Sequence, residues 1–567
     1  MVSVLLLLSA LPLAIAAPAA ESASAFAGST LSAVYPPPGA TITTNEEYFP
    51  DAAQVGYPGP TPTGAEAEAI ATAPIAALNT NAYPLVAPQT PYSGAGTPFQ
   101  VLRSWGNLGP WFSVSSDAFG LPTADPQIPS GCELEQVHLL HRHGARYPTS
   151  GSAPSQFAAT VQTAASGSGL SASGPLDFLN TWTYKLGAEI LTPEGRQQPF
   201  DLGVGFRVKY GTLLSKFTGL PVWRTTSENR MVESAIHFAA GFYGVPDYQT
   251  SYHQEIIIEA SGFNNTLSPW NACPNSNNAV AGDLGGYASG NWTNVYLNAT
   301  VSRLQQYVTG INLMTSDLYA MQQMCAYETV ALGYSQFCGL FTEEEWRGFD
   351  YSIDLSFWYG EGPGNPASAA QGIGYVQELV SRLTKTPLTT FDSSTNGTLD
   401  SNSITFPLNQ PIYVDATHDT VIANIITALN FTTLAGNGPL PIDHIPAYQT
   451  YHVHDIAPFT SNLVAQVVSC PASSGSTDSA SYIRFLLNDG VVPLTGISHC
   501  ETPDANGLCL LDNFIQGMQK RIAEVDFVYD CYANYTPPAL TSDPIIDGRM
   551  LQQKVSGFRP GSDADSS

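Results

Sequence analysis

The 567-residue sequence predicts an α/β fold, a mixed and mostly parallel sheet flanked by helices with a helical block inserted as a cap. Three observations carry that expectation. Apolar runs at residues 134–140 and 412–414 have strand character, and each leads into a polar cluster. Amphipathic helical stretches alternate with such runs. Between about residues 291 and 383 the pattern is almost wholly helical, which inside an α/β chain reads as an insertion.

The first element is an apolar run from Val2 to Ala17, with Ala14-Ile15-Ala16 as a small-x-small cleavage signal before Pro18. Residues 1–17 are expected to be a signal peptide, since the run is short for a membrane span. Residues 18–98 are rich in Ala, Pro, Thr, Ser and Gly and cannot bury enough apolar surface to offset their ordering entropy. They read as a propeptide or a flexible stalk. Aromatic and aliphatic residues become dense at Phe99, so the folded unit is placed at residues 99–535, its cap mainly at 265–385. Residues 536–567 form a polar tail with neither a lipid-anchor nor a retention signal.

Within the folded unit, residues 175–186 put Phe178, Leu179, Trp182 and Leu186 on one helical face, with Gly187 as the stop. Thr342 and Glu345 make a capping box before Trp346. The 412–414 strand runs through Asp415-Ala416-Thr417-His418-Asp419-Thr420 into a helix over residues 421–429. His452 and His454 alternate along an expected strand, and His138 lies inside the first one; all three read as structural.

With 47 acidic against 20 basic residues the net charge is −27, which argues against nucleic acid or an anionic membrane as partner. An anionic substrate has to be drawn by a local Arg cluster. Eight cysteines in an exported chain favour four disulfides. Sequons begin at Asn264, Asn291, Asn298, Asn396, Asn430 and Asn534, as in a secreted extracellular glycoprotein.

The decisive segment is His141-Arg142-His143-Gly144-Ala145-Arg146-Tyr147-Pro148, at the end of the first strand. Loops at the carboxyl ends of such strands present ligand sites. Two guanidinium groups can grip phosphate oxygens with a histidine between them placed to attack phosphorus. The alternatives are a structural loop, or a metal pair of His141 and His143, though no third ligand lies nearby and the arginines would repel a cation.

This segment resembles the R-H-G-x-R-x-P signature of the histidine acid phosphatase family, and in particular its fungal phytase branch. Further stretches are similar to that branch: Trp223 to Arg230, Phe341 to Trp346, Gly364-Asn365-Pro366 with Gln371-Gly372, Asn488 to Leu494, and Asp512-Asn513-Phe514. The resemblance runs from about Trp105 to Tyr532. It implies a phosphoglycerate-mutase-like fold and a secreted acid phosphatase acting on small organic phosphate monoesters, with some activity on phytate, through a phosphohistidine.

His143 would be the nucleophile and Asp419 the general acid, with Arg142, Arg146, Arg224 and His418 holding phosphate. No metal or other cofactor is expected. Arg230 is a fourth arginine on the phosphate or a salt-bridge partner of Glu228 or Glu233. The resemblance also pairs Cys132 with Cys470, Cys273 with Cys531, Cys325 with Cys338, and Cys500 with Cys509. Two departures stand out. His141 precedes Arg142, and the stretches resembling the Lys-bearing pocket rim, residues 150–155 and 355–359, carry no basic residue. Rival readings are a phosphomutase and a non-catalytic glycoprotein that keeps the fold.

Overall fold

A computed structural model describes residues 99–550, apart from residues 168, 280, 472–478, 503, 538 and 541–543. The expected signal peptide, the stalk or propeptide, and the last part of the tail lie outside the described residues.

The elements in chain order are β1 (Glu133–Arg142), α1 (Ala153–Ser166), α2 (Pro193–Tyr210), β2 (Val222–Thr226), α3 (Asn229–Tyr243) and β3 (His253–Ile257). Then come α4 (Leu284–Tyr296), α5 (Asn298–Gln305), α6 (Thr315–Leu332), α7 (Glu343–Gly360) and α8 (Ser368–Thr384). The chain returns to the sheet with β4 (Ile412–Thr417), α9 (Asp419–Ala428), β5 (Asn462–Pro471), β6 (Ser479–Leu487), β7 (Gly490–Val492) and β8 (Cys509–Leu510), and ends in α10 (Leu511–Glu524) and α11 (Phe527–Tyr532).

The eight-stranded sheet has the order β8-β6-β5-β1-β4-β2-β3, with β7 beside β6. It is mixed. β1, β4, β2 and β3 run parallel, whereas β5 to β8 add an antiparallel half. Helices cover both faces, as buried parallel strands require. Val137 and Leu139 of β1 with Ile412 and Val414 of β4 pack against Phe206, Phe238 and Phe242 of α2 and α3. Leu140 joins the opposite layer with Val421, Ile422 and Ile425 of α9.

The cap comes from two insertions. Antiparallel pairing of residues 171–172 with 308–309 links them, and α1 packs on α6. Glu345 accepts from Thr342 N at 2.8 Å and completes the capping box of α7. Helix α8 leaves the cap and packs on α9 and α10, so the cap's helices end near residue 360, not 385. Disulfides join Cys132–Cys470, Cys273–Cys531, Cys325–Cys338 and Cys500–Cys509. No helix among the described residues is long and apolar enough to cross a membrane.

Three local expectations need correction. Residues 175–186 are not one helix. A 3₁₀ helix spans Gly174–Asn180, and the Asn180 side chain stops it by bonding Ala172 and Asp177 backbone. His452 and His454 do not share a strand. Asp354 accepts from Val453 N at 2.7 Å and Asp350 pairs with His454 at 2.9 Å, holding a single helical turn, Val453–Ile456. The folded unit also runs past residue 535. Gly548 exchanges backbone hydrogen bonds with Pro363 and Ala369, and the Asp547 carbonyl accepts from Arg521 at 2.8 Å.

Candidate active site

The parallel strands end level with one another. Arg142 of β1 lies beside Thr417 of β4, and Thr226 of β2 beside Ile257 of β3. The next residues of each chain segment therefore meet above the sheet: His143, His418 with Asp419, Glu228 with Arg230, and Glu259. Open α/β sheets place ligands at such carboxyl ends.

The loop after β1 is held by close backbone packing. A Cβ on Gly144 would collide with the Gly195 carbonyl at the start of α2, so only glycine permits the approach. Ala145 N donates to Gln198 Oε1 at 2.8 Å, and Arg146 pairs with Leu191 in an isolated bridge.

His143 is buried, and its Nδ1 lies 2.7 Å from the Gly144 carbonyl. A carbonyl can only accept, so Nδ1 carries the hydrogen and Nε2 keeps its lone pair. Burial, then the charges of Arg142, Arg230, His418 and Arg146, hold its pKa well below the usual imidazole range. A neutral ring of this tautomer is a competent nucleophile at acid pH.

Asp419 opens α9, directly after His418, which is its N-cap. Its Oδ2 receives Arg142 Nη2 at 2.6 Å and Asn107 Nδ2 at 2.8 Å, and its Oδ1 receives Thr420 N at 2.9 Å. Burial alone would raise its pKa; Arg142, Asn107, Arg146 and His418 outweigh that and bring it down to about 2. The Arg142 guanidinium lies 4.4 Å from the Phe459 ring centroid and also donates to the carbonyls of Asn107 and Ala457.

His418 stands edge-on to His143 at 5.8 Å between centroids and to Trp270 at 5.1 Å. Its Nε2 is 3.2 Å from Glu259, which also accepts from Thr226 Oγ1. Glu228, Glu259 and His418 each bring a donor atom within 4.8 Å of one another, a set with metal-ligand chemistry. Glu228 is already paired with Arg230 at 2.5 Å, and that cation opposes a second one.

Arg224 does not reach this place. It sits inside β2, one level below the strand end, fully buried, bonding Asp415 at 2.7 Å and Glu378 at 2.6 Å. Arg382 grips the same Asp415 at 2.6 Å. The residue at the site is Arg230, on the first turn of α3, which acts on His143 and pairs with Glu228 and with Glu189 at 3.3 Å. Glu233 pairs instead with Arg196 at 3.0 Å.

Of the two rim stretches, residues 150–155 do border an open groove, but residues 355–359 belong to α7, where Leu355, Phe357, Trp358 and Tyr359 are buried. Asn107, Glu228 and Glu259 were not singled out as site residues. Among the sequons, Asn264, Asn298 and Asn534 are exposed, whereas Asn291, Asn396 and Asn430 are half-buried. Asn430 is held by the Gly496 carbonyl at 2.6 Å.

A model of the histidine phosphatase superfamily (branch 2) matches residues 133–488. The chain is 33% identical over 432 residues to Phytase A of Aspergillus oryzae, covering 74% of this chain and 88% of that one. It is 34% identical over 436 residues to a Phytase A of Aspergillus terreus, with the same coverage of both chains. The crystal structure of the phytase from D. castellii superposes with a TM-score of 0.62 at 25% identity, covering 80% of this chain and 94% of that one. With the match spanning more than half its length, this chain belongs to branch 2 of the histidine phosphatase superfamily.

Proposed function

We propose that this protein is a secreted acid phosphatase that hydrolyses organic phosphate monoesters, phytate among them, through a phosphohistidine on His143 Nε2. The observation that carries the reading is the pairing of a neutral His143, tautomerically fixed by Gly144, with a carboxylate on Arg142 at the adjacent strand end.

Arg142, Arg146, Arg230 and His418 hold the phosphate oxygens. Charge stabilisation by such groups supplies most of the catalysis in phosphoryl transfer. Nε2 attacks phosphorus and the bond to the ester oxygen breaks. The Asp419 carboxyl gives its proton to the departing alkoxide, which is otherwise a poor leaving group. Water then attacks the phosphohistidine, Asp419 takes the proton, and the N–P bond breaks to release phosphate and free His143. The reading includes export by residues 1–17 and glycans on the exposed Asn264, Asn298 and Asn534.

The test is hydrolysis of a chromogenic phosphomonoester from pH 3 to 8 by the wild type and His143→Ala. An acidic optimum that vanishes in the variant supports the reading; a wild type without turnover at any pH removes it. A phytate kcat/KM far above that for simple monoesters would contradict the breadth claimed here.

A further inference from the structure

A groove of about 540 Å³ opens beside the catalytic loop, between α1 and residues 179–188. Its lip is Thr149, Ser150 and Gly151, the residues that directly follow the phosphate-loop motif. A single side chain ties that lip to the site. Glu189 accepts from Ser150 N at 2.9 Å through one oxygen and from Arg230 Nη1 at 3.3 Å through the other. The mouth of the groove is thus one carboxylate and two hydrogen bonds from a guanidinium beside His143.

The chemistry of the walls is narrow. None of the lining residues is charged. Ser155, Gln162 and Thr183 offer neutral hydroxyl and amide groups, and Trp182 and Tyr184 offer aromatic surface. Trp182 is fixed in place, its indole N–H donating to Glu328 at 2.9 Å and its ring edge-on to Phe337 at 5.3 Å. Lys185, next to Tyr184, does not line the groove, and its charge acts on Glu328. Cavities of this size with mostly apolar walls and a few polar groups suit small organic ligands. A leaving group bearing further phosphates would meet no cation here, whereas a neutral ring would find stacking surface and hydrogen-bond partners.

We propose that this groove is the leaving-group subsite, preferring an uncharged, ring-bearing alcohol, aryl or sugar, over a phosphorylated one such as that of phytate, with the ester phosphate at His143. The inference rests on the phosphatase reading above and adds its substrate class. During turnover the alcohol stays in the groove as the ester oxygen–phosphorus bond breaks and leaves after Asp419 has protonated it.

The test compares each substrate with itself, which cancels differences in leaving-group chemistry. Ala159 lies on the exposed side of α1 and lines the groove, so Ala159→Phe fills it without entering the core. In wild type and variant, kcat/KM is measured for methyl phosphate, 1-naphthyl phosphate and glucose 6-phosphate, with Tm recorded as a check of folding.

The expected result is a loss of about tenfold or more for the ring-bearing esters and less than about twofold for methyl phosphate. Loss on the naphthyl ester alone identifies an aryl subsite, loss on the glucose ester alone a sugar subsite, and loss on both a general one. Equal losses on all three, or none, overturn the subsite. A wild type inert towards every ester overturns the phosphatase reading and the subsite with it. Should Ala159→Phe not fold, Thr183→Tyr fills the groove from the opposite wall and reads out the same way.

Discussion

At the scale of single residues, the resting site shows Asp419 in the wrong protonation state for an acid. Arg142 and Asn107 keep it ionised down to about pH 2. An incoming phosphate competes for Arg142, and each favourable contact Asp419 loses raises its pKa towards the acidic working range. Binding of sulfate, a phosphate mimic that does not itself titrate in this range, should therefore take up a proton near pH 5, readable by calorimetry in buffers of different ionisation enthalpy. Binding without proton uptake would place the acid elsewhere. Asp419→Asn should lower kcat/KM for an alkyl phosphate by about 10²–10⁴, and much less for 4-nitrophenyl phosphate, whose leaving group needs little protonation. Equal losses on both esters would indicate a role in binding instead.

At the scale of elements, the two arginines of the β2–α3 unit do different work. Arg224 is about 2% exposed, pairs with Glu378 and shares Asp415 with Arg382 beneath the strand ends. Removing one partner of such a network leaves buried charge uncompensated. Arg224→Ala should cost about 3–5 kcal/mol of stability, seen as a large fall in Tm. Arg230→Ala should leave Tm nearly unchanged and raise KM for phosphate esters; the reverse pattern would return Arg224 to the site.

The distinction was partly legible. Trp223-Arg224-Thr225-Thr226 is an aromatic and β-branched run that belongs inside a strand, whereas Arg230 lies in the turn beyond it, where strand ends present ligands. The strands at β1 and β4 and the capping box of α7 were readable because periodicity and local capping determine them. The turn at Val453–Ile456 was not, because the carboxylates that fix it, Asp350 and Asp354, come from α7 about a hundred residues away. Asn107 was equally hidden, meeting Asp419 across 312 positions of sequence.

At the scale of the whole molecule, the titrating groups set a pH window for stability. Burial raises Glu255, Glu361 and Asp530 to about 7 and Asp400 to about 8. Burial opposes protonation of His454, but Asp350 and Asp455 outweigh it and lift its pKa to about 10. Raised groups stabilise the fold at low pH and lose that effect as pH rises through their folded values. Burial lowers His138 to about 3 and His141 to about 4, and these lose their contribution as pH falls below the usual imidazole value.

The raised groups thus act alone between about pH 6.5 and 9, the four raised carboxyls outweigh the two lowered imidazoles down to about 4.5, and below about 4 Asp419 loses its ion pair. Protonation also relieves the net charge of −27. Tm should be higher near pH 5.5 than near 8.5 and fall below about pH 4; a steady rise of Tm with pH would contradict this balance.

The most direct test of the account is to mix the protein with a labelled phosphomonoester, quench in alkali within milliseconds, and locate the phosphate by peptide mass spectrometry. The account predicts a phosphohistidine at His143 that is absent from His143→Ala and accumulates in Asp419→Asn when the leaving group is good. Turnover with no covalent phosphate on the protein, or with phosphate on another residue, would contradict it.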